Sequence, residues 1–110
     1  MGTVLPFPSA VPGGQAQQVS FERGELKRIV DLYGRMVAAG LWKDYAIAFE
    51  PGAAAFSAFR RNAERPEYRI EKRALGQWTL IGEAGHVLKR GPALGPVLAP
   101  IERRLLKVVG

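Results

Sequence analysis

The chain has 110 residues, a formal net charge of +6 and no cysteine, so one domain is expected and disulfides or thiolate metal sites are excluded. No apolar run approaches the roughly 20 residues of a membrane span, and the N-terminus lacks the basic start and apolar core of a signal peptide. We therefore expect a cytoplasmic protein with no membrane partner.

Residues 1–18 contain three prolines, the pair Gly13-Gly14 and no charged side chain. Such a segment has little periodic apolar surface to bury, so it is predicted to be a flexible tail. Its apolar residues Val4, Leu5 and Phe7 leave open that it docks on the domain or on a partner. Residues 19–110 then form the single domain.

The first predicted helix covers residues 21–39. Ser20 is the expected N-cap, and Gly40 suits the left-handed position after the last turn. Gly34 lies inside the helix and indicates either a close approach of the sheet or simple tolerance of glycine. One face of the helix should be buried, because apolar side chains recur at helical spacing: Leu26, Ile29, Val30, Tyr33 and Val37.

Five short segments with alternating or β-branched residues predict strands at residues 44–50, 53–61, 67–73, 77–81 and 86–90. In the first, Tyr45, Ile47 and Phe49 lie on one side, which indicates a half-buried strand. Pro51-Gly52 follows as a turn. Because the tightest hairpins prefer primed turns, we expect this loop to exceed two residues.

The last segment repeats the helical spacing at Leu94, Val97, Leu98, Ile101, Leu105 and Val108. Pro96 suits a first turn, whereas Pro100 indicates either a kink or a regular helix that begins near Ala99. Short connections between the strands imply a meander. The predicted fold is therefore α+β: a two-layer sandwich of an antiparallel β-meander of four to five strands with an N-terminal and a C-terminal helix, in the order α-β-β-β-β-β-α.

Motifs for catalysis, metal binding and cofactor binding are absent from the sequence. The single histidine, His86, lies beside a predicted turn, and no His, Asp and Glu cluster has metal-ligand spacing. Glycine-rich phosphate or dinucleotide loops are also missing. We predict a non-catalytic protein without cofactor or metal. An enzyme would require a pocket that gathers Asp44, Tyr45, His86 and Lys89.

Positive charge is the remaining functional signal. Six cations and three glutamates fall between residues 60 and 73, and arginine binds phosphate bidentately. In the third strand the polar residues at 67, 69, 71 and 73 should face water or a partner. The predicted polyanion-binding residues are Arg60, Arg61, Arg65, Arg69, Lys89 and Arg90. Alternatively, the charge is compositional, because arginine outnumbers lysine eleven to five, as GC-rich coding produces.

Two functional hypotheses follow. The first is a binding module for nucleic acid or another polyanion. The second is a protein–protein adaptor, or a subunit of a larger bacterial assembly, that uses Leu41, Trp42 or the tail as an apolar interface. An exposed sheet face or edge would also permit a homodimer.

Four blocks in order carry a family resemblance: YGRMVAAGLWKDYAI at residues 33–47, FSAFRR at 56–61, YRIEK at 68–72 and LKRG at 88–91. From about residue 21 to the C-terminus, the chain resembles a family of small alphaproteobacterial proteins catalogued only as a domain of unknown function. The resemblance implies a bacterial cytosolic protein and implies no activity. Pro100 departs from the uninterrupted last helix that the resemblance leads us to expect.

Overall fold

The computed structural model describes residues 18–109, so the predicted tail lies outside the described residues except for Gln18. A 3-10 turn, Ala74–Gly76, connects the third strand to the fourth. The helices and strands follow the predicted order: α1 (Arg23–Ala38), β1 (Asp44–Glu50), β2 (Ala53–Phe59), β3 (Tyr68–Arg73), β4 (Gln77–Gly82), β5 (Val87–Gly91) and α2 (Leu94–Val109).

The five strands form one antiparallel sheet in the order β1-β2-β3-β4-β5, which confirms the predicted α+β meander. Ile47, Phe56, Ile70 and Leu80 lie opposite one another across the first four strands. Because side chains alternate along a strand, this register places the apolar rows on one side. We call that side, which the helices cover, the helix face, and we call the other side the open face.

The two helices run in the same direction across the helix face. The Arg28 guanidinium packs against Gly95, and Arg35 lies 3.9 Å from the Glu102 carboxylate. The contact moves forward along α2 as it moves forward along α1, so the helices are parallel. Helices and sheet together enclose one core. Its largest fully buried side chains are Ile29, Leu32, Met36, Phe56, Ile70, Leu80, Val97, Leu98 and Ile101.

Both ends of α1 are determined by local contacts. Its N-cap is Glu22 rather than the predicted Ser20, and the Glu22 backbone N–H donates to the Glu25 carboxylate at 2.8 Å in a capping box. At the other end, Gly40 has a φ of 78°, as predicted. A Cβ at Gly34 would meet no atom within 4 Å, so glycine there is simply tolerated.

The buried stripe of α1 differs from the prediction. Leu32 and Met36 are buried together with Ile29, whereas Val30 and Val37 are each 40% exposed. The reason is that α1 packs against α2 as well as the sheet, which turns its stripe toward the second helix. The two valines are therefore left on the flank that faces away from α2.

The hairpin between β1 and β2 is tighter than predicted. Its loop consists of Pro51 and Gly52 alone, so the expectation of a longer loop was wrong. Gly52 has a φ of 75°, which agrees with the second central position of a type II turn after proline.

Helix α2 is continuous from Leu94 to Val109, so its regular part does not begin near Ala99. Pro100 lies inside it and removes one intrahelical hydrogen bond. Buried Val97, Leu98 and Ile101, on both sides of this proline, hold the helix on the sheet. Their burial explains why the helix continues across the proline.

Candidate functional site

The loop of residues 60–67, between β2 and β3, meets the connection between α1 and β1 at one end of the sheet. The Lys43 backbone N–H donates to the Phe59 carbonyl at 2.7 Å. Two surface hollows share the stretch at residues 60–63, and Lys43 lines one while Arg104 of α2 lines the other. We define the basic corner as Lys43, Arg60, Arg61, Arg65 and Arg104.

Carboxylates position two of these cations. Glu67 accepts hydrogen bonds from the Arg104 guanidinium at 2.9 Å and from the Trp42 indole N–H at 2.8 Å. Arg60 pairs with Glu83 and lies 3.9 Å from Glu67. The hydrogen bond with Glu67 raises the pKa of Arg104 against the opposing effect of burial, so this guanidinium stays charged.

Two arginines of the loop are available to a ligand. Arg61 and Arg65 are exposed, and neither makes an ion pair within residues 18–109. Asn62 lies between them with a φ of 60°, a left-handed conformation that asparagine adopts more readily than most residues. The turn therefore projects from the end of the sheet with its arginines exposed to solvent.

Arg69 lies on the open face and is fully engaged. Its guanidinium donates to Glu71 at 2.7 Å and to Glu50 at 2.9 Å. Burial alone would lower the pKa of Arg69, but these two hydrogen bonds raise it. Glu71 also pairs with Arg73 and is only 7% exposed. Arg69 and Arg73 therefore lie on the open face as predicted, but Glu71 is buried between them and neutralises their charge, and Glu67 turns instead toward Trp42 and Arg104.

The last two predicted binding residues lie on β5, at the edge of the sheet opposite β1. Lys89 is opposite Leu80 and so belongs to the helix face, whereas Arg90 is opposite Thr79 and belongs to the open face. The structure thus brings Arg60, Arg61 and Arg65 into one loop but does not bring all six predicted residues together. Sequence reasoning missed Lys43 and Arg104, because only tertiary packing places them at the corner.

The residues required for an enzymatic pocket are scattered. Asp44 and Tyr45 lie on β1, whereas His86 and Lys89 belong to the opposite edge, four strand spacings or roughly 19 Å away. Among residues 18–109, no group of three or more His, Cys, Asp and Glu could hold a metal ion. These four residues therefore do not form the pocket that the sequence hypothesis required.

The apolar surface also differs from expectation. Trp42 is buried, with its ring 6.0 Å from the rings of Tyr33 and Tyr68, so its predicted use as an interface residue was wrong. In contrast, Tyr45, Ile47 and Phe49 remain 50%, 37% and 58% exposed. The three side chains share one side of β1, but the prediction of a half-buried strand was wrong, because neither helix covers most of that side.

Within residues 18–109, neither helix is long and apolar enough to cross a membrane.

Comparison with curated proteins and with solved structures finds no match to the chain. A family model described as "Protein of unknown function (DUF2794)" matches residues 19–98, which include α1, the whole sheet and the beginning of α2. The chain therefore belongs to the DUF2794 family of proteins of unknown function.

Proposed function

We propose that this protein is a non-catalytic binding module whose basic corner contacts the phosphate backbone of a nucleic acid. The observation that supports the proposal is the exposure of Arg61 and Arg65 without a carboxylate partner among residues 18–109. Guanidinium groups bind phosphate oxygens bidentately. A chain of net charge +6 attracts polyanions at long range.

The two arginines of the corner that are paired with carboxylates support the proposed phosphate contact indirectly. Arg104 is held by Glu67 and Arg60 by Glu83, and Glu67 also accepts a hydrogen bond from the buried Trp42. This network connects the loop to α2 and to the core. Arg61 and Arg65 are therefore presented from a supported turn, which reduces the conformational entropy that binding must overcome.

The acids near the corner limit the strength of binding. Asp44, Glu64, Glu67 and Glu83 lie in or beside it, so we expect contact with only two or three phosphates. Each phosphate contact contributes about −0.7 to −0.9 to the slope of log K against log salt concentration. Binding should therefore be modest in affinity and clearly dependent on salt.

The test is fluorescence anisotropy with labelled single-stranded and double-stranded DNA and RNA at about 50 and 200 mM salt. The variant Arg61→Glu/Arg65→Glu should lose at least ~10-fold in affinity and reduce the salt slope by about 2. A matched control is Arg23→Glu/Arg103→Glu, which makes the same change in charge on two exposed arginines outside the corner. The control should lose much less affinity.

Two outcomes would contradict the proposal: no binding of the wild type at low salt, or an equal loss in the two double variants. The second outcome would assign binding to overall charge rather than to the corner. Arg60 is left intact, because a glutamate at that position would face Glu67 and Glu83 and so destabilise the loop.

Of the surfaces that the adaptor hypothesis names, Trp42 is buried, Leu41 is half-buried, and the tail lies outside the described residues except for Gln18. The surface that favours protein contact is the exposed apolar side of β1.

A further inference from the structure

Strand β1 is an unprotected edge of the sheet. It pairs only with β2, so the backbone N–H and C=O groups on its outer side have no strand partner among residues 18–109. Edge strands usually carry a proline, an inward-pointing charge or a bulge that blocks further pairing. The segment Asp44–Glu50 contains no proline or lysine, and its pairing with β2 is regular from end to end.

Apolar side chains accompany this edge. Tyr45, Ile47 and Phe49 lie on the helix face of β1 and are exposed. Val30 and Val37 of α1 lie on the same side of that helix as Tyr33, whose ring packs on Tyr45 with centroids 5.0 Å apart. We call these residues the edge patch: Val30, Val37, Tyr45, Ile47 and Phe49.

The sequence of β1 is self-complementary. Read outward from Ile47, the strand DYAIAFE gives alanine, an aromatic residue and an acid in both directions. In a two-fold antiparallel pair centred on Ile47, each Ile47 would lie opposite the other, and Tyr45 would lie opposite Phe49 of the second copy. Such aromatic and β-branched pairs are favourable across strands.

We propose that the edge patch binds a second copy of this chain, with the two β1 strands pairing antiparallel about Ile47 into one ten-stranded sheet. The two-fold arrangement is closed, because each copy uses the same edge and no further β1 edge remains. It also satisfies the backbone groups that the single chain leaves unpaired at this edge.

The area of the patch is compatible with a dimer. A fully buried aromatic side chain covers roughly 150–250 Å². Scaled by their exposed fractions, the five side chains of the edge patch expose roughly 400 Å² per copy. Two copies supply roughly 800 of the at least ~1,200 Å² that a stable interface buries, and the seven-residue backbone edge contributes to the remainder. We expect micromolar affinity, because this area is at the low end of that range.

The chain's own N-terminal segment fits the edge less well. Pro6, Pro8 and Pro12 divide residues 1–12 into runs of at most five residues, and residues 13 and 14 are glycines. Proline cannot donate to a ladder, and glycine weakens a strand. A seven-residue strand such as β1 is better matched by another β1.

The charged residues at the ends of the paired β1 strands predict how the dimer depends on salt. Asp44 would lie opposite Glu50 of the second copy, and Arg69 already neutralises Glu50 at 2.9 Å. Any remaining repulsion between these acids is screened by salt. Salt should therefore not weaken the dimer.

The first experiment is sedimentation velocity of the full chain from about 1 to 200 µM, a range that brackets the expected micromolar affinity. The mass should rise from 12.0 kDa toward twice that value. Ile47→Lys should remain a folded monomer, as checked by circular dichroism, because it places two lysines opposite each other. The control, Leu106→Lys, makes the same change at a 66% exposed residue of α2 and should still dimerise.

A second experiment tests the register. The chain has no cysteine, so Ile47→Cys introduces a single thiol. Directly opposed Cβ atoms lie ~4.5–5.5 Å apart in an antiparallel pair, close to disulfide geometry. Under mild oxidation Ile47→Cys should form a covalent dimer at least ~10-fold faster than Leu106→Cys, a difference equivalent to about 1.4 kcal/mol in barrier.

A wild type that stays monomeric at 200 µM would overturn the proposal. So would a dimer that survives Ile47→Lys, or equal rates of cross-linking in the two cysteine variants. The outcome can be separated from nucleic-acid binding, because Ile47 is not part of the basic corner: it pairs with Phe56, four residues or roughly 13 Å of strand before Arg60. A monomeric Ile47→Lys variant that still binds nucleic acid would support both proposals.

Discussion

Tyr33 connects α1 to the sheet through both its ring and its hydroxyl. The ring lies 5.0 Å from that of Tyr45 and 6.0 Å from those of Trp42 and Phe56. The hydroxyl donates to the Lys43 carbonyl at 3.1 Å. Burial raises the pKa of Tyr33 above 10.0, and the charges of Asp44 and Tyr45 raise it further.

Replacing Tyr33 with phenylalanine tests this contact. At neutral pH, Tyr33→Phe should cost about 1 kcal/mol of unfolding free energy, the net worth of one neutral hydrogen bond. Because the folded pKa is raised, the hydroxyl's contribution is complete below pH 10.0 and is lost as the pH rises through the folded pKa. Urea unfolding should show the difference between wild type and variant shrinking above that pH. A difference that grows there would contradict the assignment.

At the scale of the element, α2 contains two prolines in different environments. Pro96 is the third residue of the helix, where its backbone nitrogen would have no intrahelical acceptor. Pro100 lies one turn later, where an N–H would bond to the Pro96 carbonyl. The buried residues around Pro100 maintain the helix despite that missing bond.

Pro100→Ala should therefore stabilise the protein. We expect a gain of ~1–3 kcal/mol, because proline in a helix interior costs up to ~3 kcal/mol relative to alanine. Pro96→Ala is the matched control and should gain nothing, since an N–H in the first turn has no intrahelical acceptor to restore. Thermal or urea unfolding of both variants provides the measurement, and equal effects would mean that the helix is not regular through residue 100.

At the scale of the whole molecule, two surfaces with opposite chemistry lie in different places. The basic corner is formed by the loop of residues 60–67 together with residues of α2 and of the α1–β1 connection. The edge patch lies on β1 and the flank of α1. One surface is charged and the other apolar, so salt should affect them differently.

Raising salt from about 50 to 200 mM should weaken nucleic-acid binding by roughly 7- to 40-fold, because two or three phosphate contacts release counterions. Over the same range the dimer dissociation constant should stay constant or fall, because screening reduces the repulsion between Asp44 and Glu50 of the second copy. Anisotropy and sedimentation on one preparation provide both values. A dimer that dissociates with salt would show that ion pairs, rather than the edge patch, hold it together.

Local patterns in the sequence determined the secondary structure and most of the topology. The alternation in residues 44–50 predicted β1 with its correct ends, and Gly40 marked the end of α1, because strand period and positive φ are properties of neighbouring residues. Short connections between strands then left a meander as the simplest topology. The end of β2 was predicted less well: the pattern favoured a strand to residue 61, whereas β2 ends at Phe59 and leaves Arg60 and Arg61 in the loop with Arg65.

Only the tertiary structure decided which side chains are covered. Val30 and Leu32 are both apolar residues of α1, but α2 buries the leucine and leaves the valine exposed. Trp42 is buried and donates to Glu67, while Arg60 and Arg69 are engaged by acids distant in sequence. Burial and ion pairing depend on distances between elements that a linear pattern does not contain. The sequence therefore predicted the fold, and packing determined which of its arginines stay exposed.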